Sequence, residues 1–324
     1  MKKRMTLSLM GAGLLIAFAG AAHAAYPDRA VTVVVPYPPG GTTDILARIV
    51  SAKLTGKLGQ TFVVENKPGA SGMIGTQAVA RAKPDGYTIM MGTIGTHGTN
   101  AAVYKNVLYD TVKDFNPVVI IASTPNVMVA NKNAPYNTVA EFLEYARKHP
   151  GEVNFGSTSM GGSPHMSGEL LKAQAGIDIV HVPFQGGGPM LNAVIGGQIP
   201  VAFDNLPSSA GHIQSGNLKA LGVTTPQRWP SFKDVPTIAE SGVPGYEVQA
   251  WFGILAPAGT PTDIVNKLNK SISDIITDDA DIQKQLATMG AMHTPNTPEQ
   301  FSKLITDEVQ KWTEVVEKNN MEKL

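Results

Sequence analysis

Val33-Val34-Val35-Pro36-Tyr37-Pro38-Pro39-Gly40-Gly41-Thr42-Thr43-Asp44 decides how the rest of the chain is read. A β-branched run stops at a proline, passes through two glycines and gives way near Thr42 to a stretch in which Ile45, Leu46, Ile49, Val50 and Leu54 recur at helical spacing. A strand that feeds a helix through such a turn leaves backbone N–H groups free at the helix N-terminus, a device that holds an anion without a charged side chain. Gly56 is the expected end of this helix, and Asp44 is expected to cap it.

The alternation continues outward. Runs 31–35, 61–65 and 88–91 read as strands, and a second block begins near Asn126 with strands at 127–130, 154–156, 179–182, 201–203 and 218–223. Thr138-Val139-Ala140-Glu141 is a capping box that opens a helix closed by Pro150. Two C-terminal helices start at Thr260-Pro261-Thr262-Asp263 and Thr297-Pro298-Glu299-Gln300. The expected fold class is α/β with a mainly parallel sheet, arranged as two α/β lobes with a ligand cleft between them. Runs 118–122 and 248–255 are the expected crossings. They make residues 25–125 and 250–324 lobe 1 and residues 126–249 lobe 2.

Residues 1–24 have the form of an export signal. Lys2, Lys3 and Arg4 precede an apolar stretch from Leu7 to Phe18, and Ala22-His23-Ala24 is an A-x-A cleavage site, so the mature chain is expected to start at Ala25 in the periplasm. There is no cysteine for a lipid anchor or a disulfide. Formal net charge is zero for the whole chain, and loss of the three leader cations leaves the mature chain slightly acidic, which is no footprint for nucleic acid.

Several further helices start from Gly/Pro/Ser loops. Ser163 reads as an N-cap with Pro164 at the first helical position, Gly186-Gly187-Gly188-Pro189 opens another helix, and Asp204-Asn205-Leu206-Pro207-Ser208-Ser209 a fourth. In an open α/β sheet, loops after the strand C-terminal ends gather where ligands bind. The candidate ligand set is Tyr37, Pro39, Gly40, Gly41 and Thr42 in the first loop, and Thr93 and His97 after the third strand. Ser157, Thr158, Ser159, Gly161, Ser163 and His165 follow, then Gln185, Gly186 and Asp204. None of these loops carries Lys or Arg, so carboxylate capture would rest on N–H, hydroxyl and water contacts. Asp204 suits either an amino group on the ligand or the fixing of its own loop, and Trp251-Phe252 suits either the cleft or the core.

No catalytic, cofactor or metal motif emerges. There is no Gly-x-Ser-x-Gly elbow and no Walker A sequence, Gly69-x-x-Gly72-x-x-Gly75 lacks a preceding strand, and no His-x-x-x-His pair occurs. An exported hydrolase using Ser159 or Ser163 with His165 is the enzymatic alternative, because geometry rather than order defines such sites. A ligand-sensing subunit for a membrane kinase is the other.

Tyr26-Pro27-Asp28-Arg29, Pro36-Tyr37-Pro38-Pro39-Gly40-Gly41, Glu65-Asn66-Lys67-Pro68-Gly69-Ala70, Lys83-Pro84-Asp85-Gly86-Tyr87-Thr88, His181-Val182-Pro183-Phe184-Gln185-Gly186-Gly187, Gly196-Gly197-Gln198 and Ala256-Pro257-Ala258-Gly259-Thr260-Pro261 follow one another in an order that resembles the substrate-binding proteins of tripartite tricarboxylate transporters, the Bug-type receptors. The resemblance spans nearly the whole mature chain. It implies a type II periplasmic-binding fold that closes like a flytrap and a monomer that delivers a small organic carboxylate to membrane permease subunits. It also implies a carboxylate held by the loops matching 38–42 and 156–163 and by ordered water. Gln185 stands where family members often have lysine, which argues against citrate with its high charge.

Overall fold

Val31, Val33, Val34 and Val35 are all buried, so the first strand is covered on both faces, as a parallel strand between helices must be. The computed structural model describes residues 26–319 and 321–324; the leader and its cleavage site lie outside them. Along the chain come β1 (Val31–Val35), α1 (Thr42–Leu58), β2 (Phe62–Asn66), α2 (Met73–Ala80), β3 (Thr88–Thr93), α3 (Asn100–Val103), β4 (Phe115–Asn131), α4 (Val139–Lys148) and β5 (Val153–Ser157). Then follow α5 (Ser163–Ala175), β6 (Ile179–Pro183), α6 (Gly187–Ile195), β7 (Val201–Asn205), α7 (Leu206–Gln214), β8 (Leu218–Val223), β9 (Gln249–Pro257), α8 (Thr262–Asp278), α9 (Ala280–Met289) and α10 (Pro298–Lys318).

The strand order is β2-β1-β3-β9-β4-β7-β5-β6, with β8 also on β4. β1 pairs parallel with β2 and β3, and β5 pairs parallel with β6 and β7. The expected parallel pairing gives way at the centre, where β4 runs antiparallel to β7, β8 and β9. Residues 115–125 of β4 pair with β9, and residues 126–131 pair with β7 and β8. One long strand therefore serves both lobes. Pro117, which has no N–H to give to the ladder, sits at a register shift against β9. At the junction Thr224 Oγ1 accepts the Asn126 amide at 2.9 Å and donates to the Val248 carbonyl at 2.6 Å, tying the outgoing strand to the return.

Helix ends follow local chemistry, with corrections. α1 runs past Gly56 and stops at Gly59, which takes φ 71° and donates to the Thr55 carbonyl; a left-handed residue is what ends a helix, and Gly56 stays helical. Thr138 and Thr297 cap α4 and α10 as expected, the second with a complete capping box. Asp44 caps nothing. Its carboxylate accepts the Gly40 amide at 3.0 Å, the Arg48 guanidinium and the Asn66 side chain, and so fixes the loop before α1. Between the two expected C-terminal helices lies a third, α9, begun by Asp279 accepting the amides of Asp281 and Ile282. Trp251 belongs to the core, edge-on to Phe301 at 5.2 Å.

Candidate functional site

The N-termini of α1, α5, α6 and α7 converge on one cavity between the lobes, about 520 Å³ including its mouth. Each follows the C-terminal end of a strand in a parallel group, where the topology gathers loops. Tyr37, Pro38, Gly41, Thr42 and Thr43 line it from the β1–α1 turn, and Thr93, Ile94 and Gly95 from the end of β3. Thr158, Ser159, Gly162, Ser163 and Pro164 line it from the β5–α5 turn, and Gly186 and Gly187 from the start of α6. Asp204, Asn205, Ser208 and Phe252 complete the wall.

None of these four helices has a side-chain cap. Their N-caps are Gly41, Gly162, Gly186 and Asn205. Gly162, not Ser163, caps α5; Ser163 is already helical, and its hydroxyl goes to Asn126 Oδ1 at 3.3 Å instead of back to the helix. Away from the cavity, α4, α9 and α10 carry side-chain caps, whereas α2, α3 and α8 do not. The N–H groups at the cavity are therefore left to whatever occupies it. Each N-terminus presents roughly half a positive charge. Among the described residues no Lys, Arg or His lines the cavity, and its ionisable side chains are Tyr37 and Asp204. Burial pushes the Tyr37 hydroxyl up to about 12, against a hydrogen bond with Thr93 Oγ1, so it stays neutral.

The lobes touch across the cavity. Thr42 Oγ1 donates to Ser208 Oγ at 3.3 Å, Thr99 Oγ1 to the Gly161 carbonyl at 2.5 Å and Tyr104 Oη to the Met160 carbonyl at 3.2 Å. Asn126, at the lobe junction, reaches the site directly. Its Oδ1 accepts from Ser163 and from Asn205 Nδ2 at 2.6 Å, and its Nδ2 donates to Ser167 at 2.8 Å. The strand that joins the lobes is thus bonded to the first residue of α5 and to the N-cap of α7.

Of the residues singled out in the sequence, Tyr37, Gly41, Thr42, Thr93, Thr158, Ser159, Ser163, Gly186 and Asp204 meet at the cavity. Gln185 opens instead into an adjoining cavity that shares Tyr37, Pro38, Thr158, Ser159 and Gly186 as its wall. Pro39 and Gly40 shape the first turn, Gly40 with φ 88°, without lining the cavity. His97 does not line the cavity: it is fully buried, edge-on to Phe115 at 4.6 Å, and desolvation lowers its pKa to about 3.

Ser157 and His165 likewise lie off the cavity wall, where both support the β5–α5 loop. Ser157 Oγ donates to the Ser159 carbonyl at 3.0 Å and takes His181 Nε2 at 2.6 Å. His165 Nδ1 accepts the Gly161 amide at 3.0 Å, its ring lies 3.9 Å from that of His181, and its Nε2 faces Glu169 at 3.8 Å. Burial, with Lys172 adding to it, lowers His165 to about 4. Gly161 is in the same loop, with φ 71° and its carbonyl held by Thr99. His165 Nδ1 is taken by the Gly161 amide, and among the described residues no hydrogen bond joins His165 to Ser159 or Ser163. Thr43, Asn205 and Ser208 line the cavity without belonging to the candidate ligand set, and Phe252, weighed between cleft and core, lines it too; Asn205 and Ser208 lie one and four residues past Asp204, on the turn that signalled α7.

Among the described residues no group of His, Asp and Glu side chains is placed to hold a metal ion, and no helix is long and apolar enough to cross a membrane. Residues 46–321 match the model of the tripartite tricarboxylate transporter family receptor. The chain is 34% identical over 317 residues to Protein BugT of Bordetella pertussis, covering 96% of this chain and 97% of that protein. An R. palustris protein solved with adipate superposes with a TM-score of 0.88 at 40% identity, covering 91% of this chain and 98% of the other. MatC from Rhodopseudomonas palustris, solved with bound malate, superposes with a TM-score of 0.86 at 36% identity, covering 90% and 100%. These likenesses extend over both lobes and the loops between them, and the chain belongs to the tripartite tricarboxylate transporter receptor family.

Proposed function

We propose that this chain is a periplasmic receptor that closes on a small organic carboxylate and hands it to membrane permease subunits. The observation that carries the reading is the convergence of four uncapped helix N-termini on an interlobe cavity lined by hydroxyls and devoid of basic side chains. Similarity to proteins solved with adipate and malate supports a carboxylate ligand. In this reading the leader is cleaved after Ala24 and the chain works as a monomer. Residues 25–125 with 250–324 form one lobe and 126–249 the other, hinged where β4 passes Asn126 and the chain returns at Val248. Gly41, Thr42, Thr158, Ser159, Ser163 and Gly187 supply the N–H and hydroxyl donors. Without a point charge such a cavity favours acids of lower charge over citrate, because dipoles at helix ends each contribute only about 0.3–1 kcal/mol, rising to about 2 kcal/mol when partly buried.

A thermal-shift screen tests this on protein unfolded and refolded to remove copurified ligand. Mono-, di- and tricarboxylates form the panel. A true ligand at 100 times its Kd stabilises by about 2.7 kcal/mol. At least one di- or monocarboxylate is expected to do so, with citrate weaker. A panel in which no carboxylate raises the melting temperature contradicts the proposal.

A further inference from the structure

We infer that Asp204 accepts a hydrogen bond from the ligand itself, so that the site selects carboxylates carrying a hydroxyl or ammonium group over the unsubstituted acids. The inference rests on the carboxylate-receptor reading and narrows it to a ligand class.

Asp204 is the penultimate residue of β7 and is fully buried, yet it lines the cavity. Its two oxygens are treated differently. Oδ2 accepts from Ser208 Oγ at 2.5 Å and Ser209 Oγ at 2.6 Å. Oδ1 is buried and has no partner. It faces Gly187, the first residue of α6 and itself part of the cavity wall; a Cβ placed there would lie 3.7 Å from Oδ1 and 3.6 Å from Ser208 Oγ. The glycine puts no side chain of its own against that oxygen.

A buried acceptor without a donor costs the full desolvation of that atom, and more when it is charged. Loop fixing does not account for it, since the two serines on Oδ2 already hold the carboxyl in place. Burial raises Asp204 to about 6, with Ser208, Ser209 and the Asn205 amide pulling it down and His212 on α7 the nearby ionisable group, so above pH 7 the carboxyl is ionised and can only accept. Every other polar side chain on the wall is a hydroxyl or an amide that can donate. A ligand that brings only carboxylates would meet a like charge across a cavity without cations. A ligand that adds a hydroxyl or ammonium completes Oδ1. Sites built around such an acceptor reject analogues that lack the donor, because binding them leaves the buried group unpaired.

Two matched series test this by titration calorimetry on the ligand-free mature chain at pH 8. They are succinate, malate and aspartate, and glutarate, 2-hydroxyglutarate and glutamate, with both enantiomers of each substituted acid. In at least one series a substituted acid is expected to bind at least about tenfold more tightly than its parent. Which substituent wins separates a hydroxyl from an ammonium donor. In Asp204→Asn, which keeps the shape and an acceptor for the serines, the preference is expected to shrink below about threefold while the parent acid gains affinity. Parent acids that bind as tightly as both derivatives, or a preference unchanged in the variant, would overturn the role of Asp204 and leave carboxylate capture standing. Failure of all six acids to bind would overturn both. The wild-type series decides the matter even if the variant folds poorly.

Discussion

Replacing Gly161 with alanine is expected to weaken carboxylate binding about 10- to 100-fold while the ligand-free protein still folds. Gly161 sits where the two lobes meet. Its backbone has φ 71°, and a Cβ there would lie 2.9 Å from Tyr104 Cε2, 2.9 Å from Val103 Cγ2 and 3.2 Å from Asn100 Oδ1. All three neighbours belong to α3 and the residue that ends it, and Thr99 and Tyr104 bond the carbonyls of Gly161 and Met160 across the same seam. An added methyl therefore acts mainly against the closed arrangement, where overpacking costs about 1–3 kcal/mol, and each 1.4 kcal/mol is tenfold in affinity. The unfavourable φ adds about 1–2 kcal/mol whether or not the lobes are closed. Calorimetric titration beside a melting curve separates the two effects. Unchanged affinity in the variant would mean that closure at this seam does not contribute to binding.

Asp204→Asn is expected to make the ligand-free protein more stable at pH 8, on the order of 2–3 kcal/mol, while it removes ligand selectivity. Burial lifts the Asp204 carboxyl from 3.8 to about 6 despite the two serine hydroxyls. The folded chain thus holds this proton more tightly than the unfolded chain does. Below pH 3.8 the carboxyl is neutral in both states and costs nothing. As pH rises towards 6 the folded state loses stability relative to the unfolded one, and above that the penalty is complete. A displacement of this size corresponds to about 3 kcal/mol. Asparagine keeps an acceptor for Ser208 and Ser209 and carries no charge to bury. Urea denaturation at pH 4 and pH 8 checks the sign: the variant's advantage should be large at pH 8 and nearly absent at pH 4. A variant less stable than wild type at pH 8 would show that Asp204 is structural. A gain would mark a site residue retained at a cost in stability.

The parts of the site that were legible in the sequence are those built by local chemistry. Pro38-Pro39-Gly40-Gly41 announces a turn into a helix, and Gly41 is the N-cap of α1. Thr138 and Thr297 cap where their boxes predict. The parts that were not legible depend on long-range packing. Nothing near His97 in the chain says that Phe115 and Tyr109 will enclose it. His165 stands beside an anion-binding turn, but its ring is claimed by Gly161 and by His181 on a strand sixteen residues later. The length of β4 is hidden because Pro117 and Pro125 interrupt a run that reads as two strands, whereas in the fold Pro117 sits at a register shift against β9 and Pro125 pairs with Gln249 at the end of that ladder. Gly56 and Gly59 are equally plausible helix ends by type, and the fold selects the one that turns left-handed before β2. Serines 208 and 209 follow Asp204 in plain view, but only the fold shows that both choose the same carboxylate oxygen.

Capture of a carboxylate by uncapped helix N-termini, without a cation, is tested most directly by titrating the ligand-free chain with malate, succinate and adipate and with the diamide of each. At least one acid is expected to bind saturably, one per chain, with its diamide at least about 100-fold weaker, since an uncharged amide forfeits the charge-assisted hydrogen bonds from the N–H groups. Equal binding of an acid and its diamide, or no binding by any of the three acids, would contradict it.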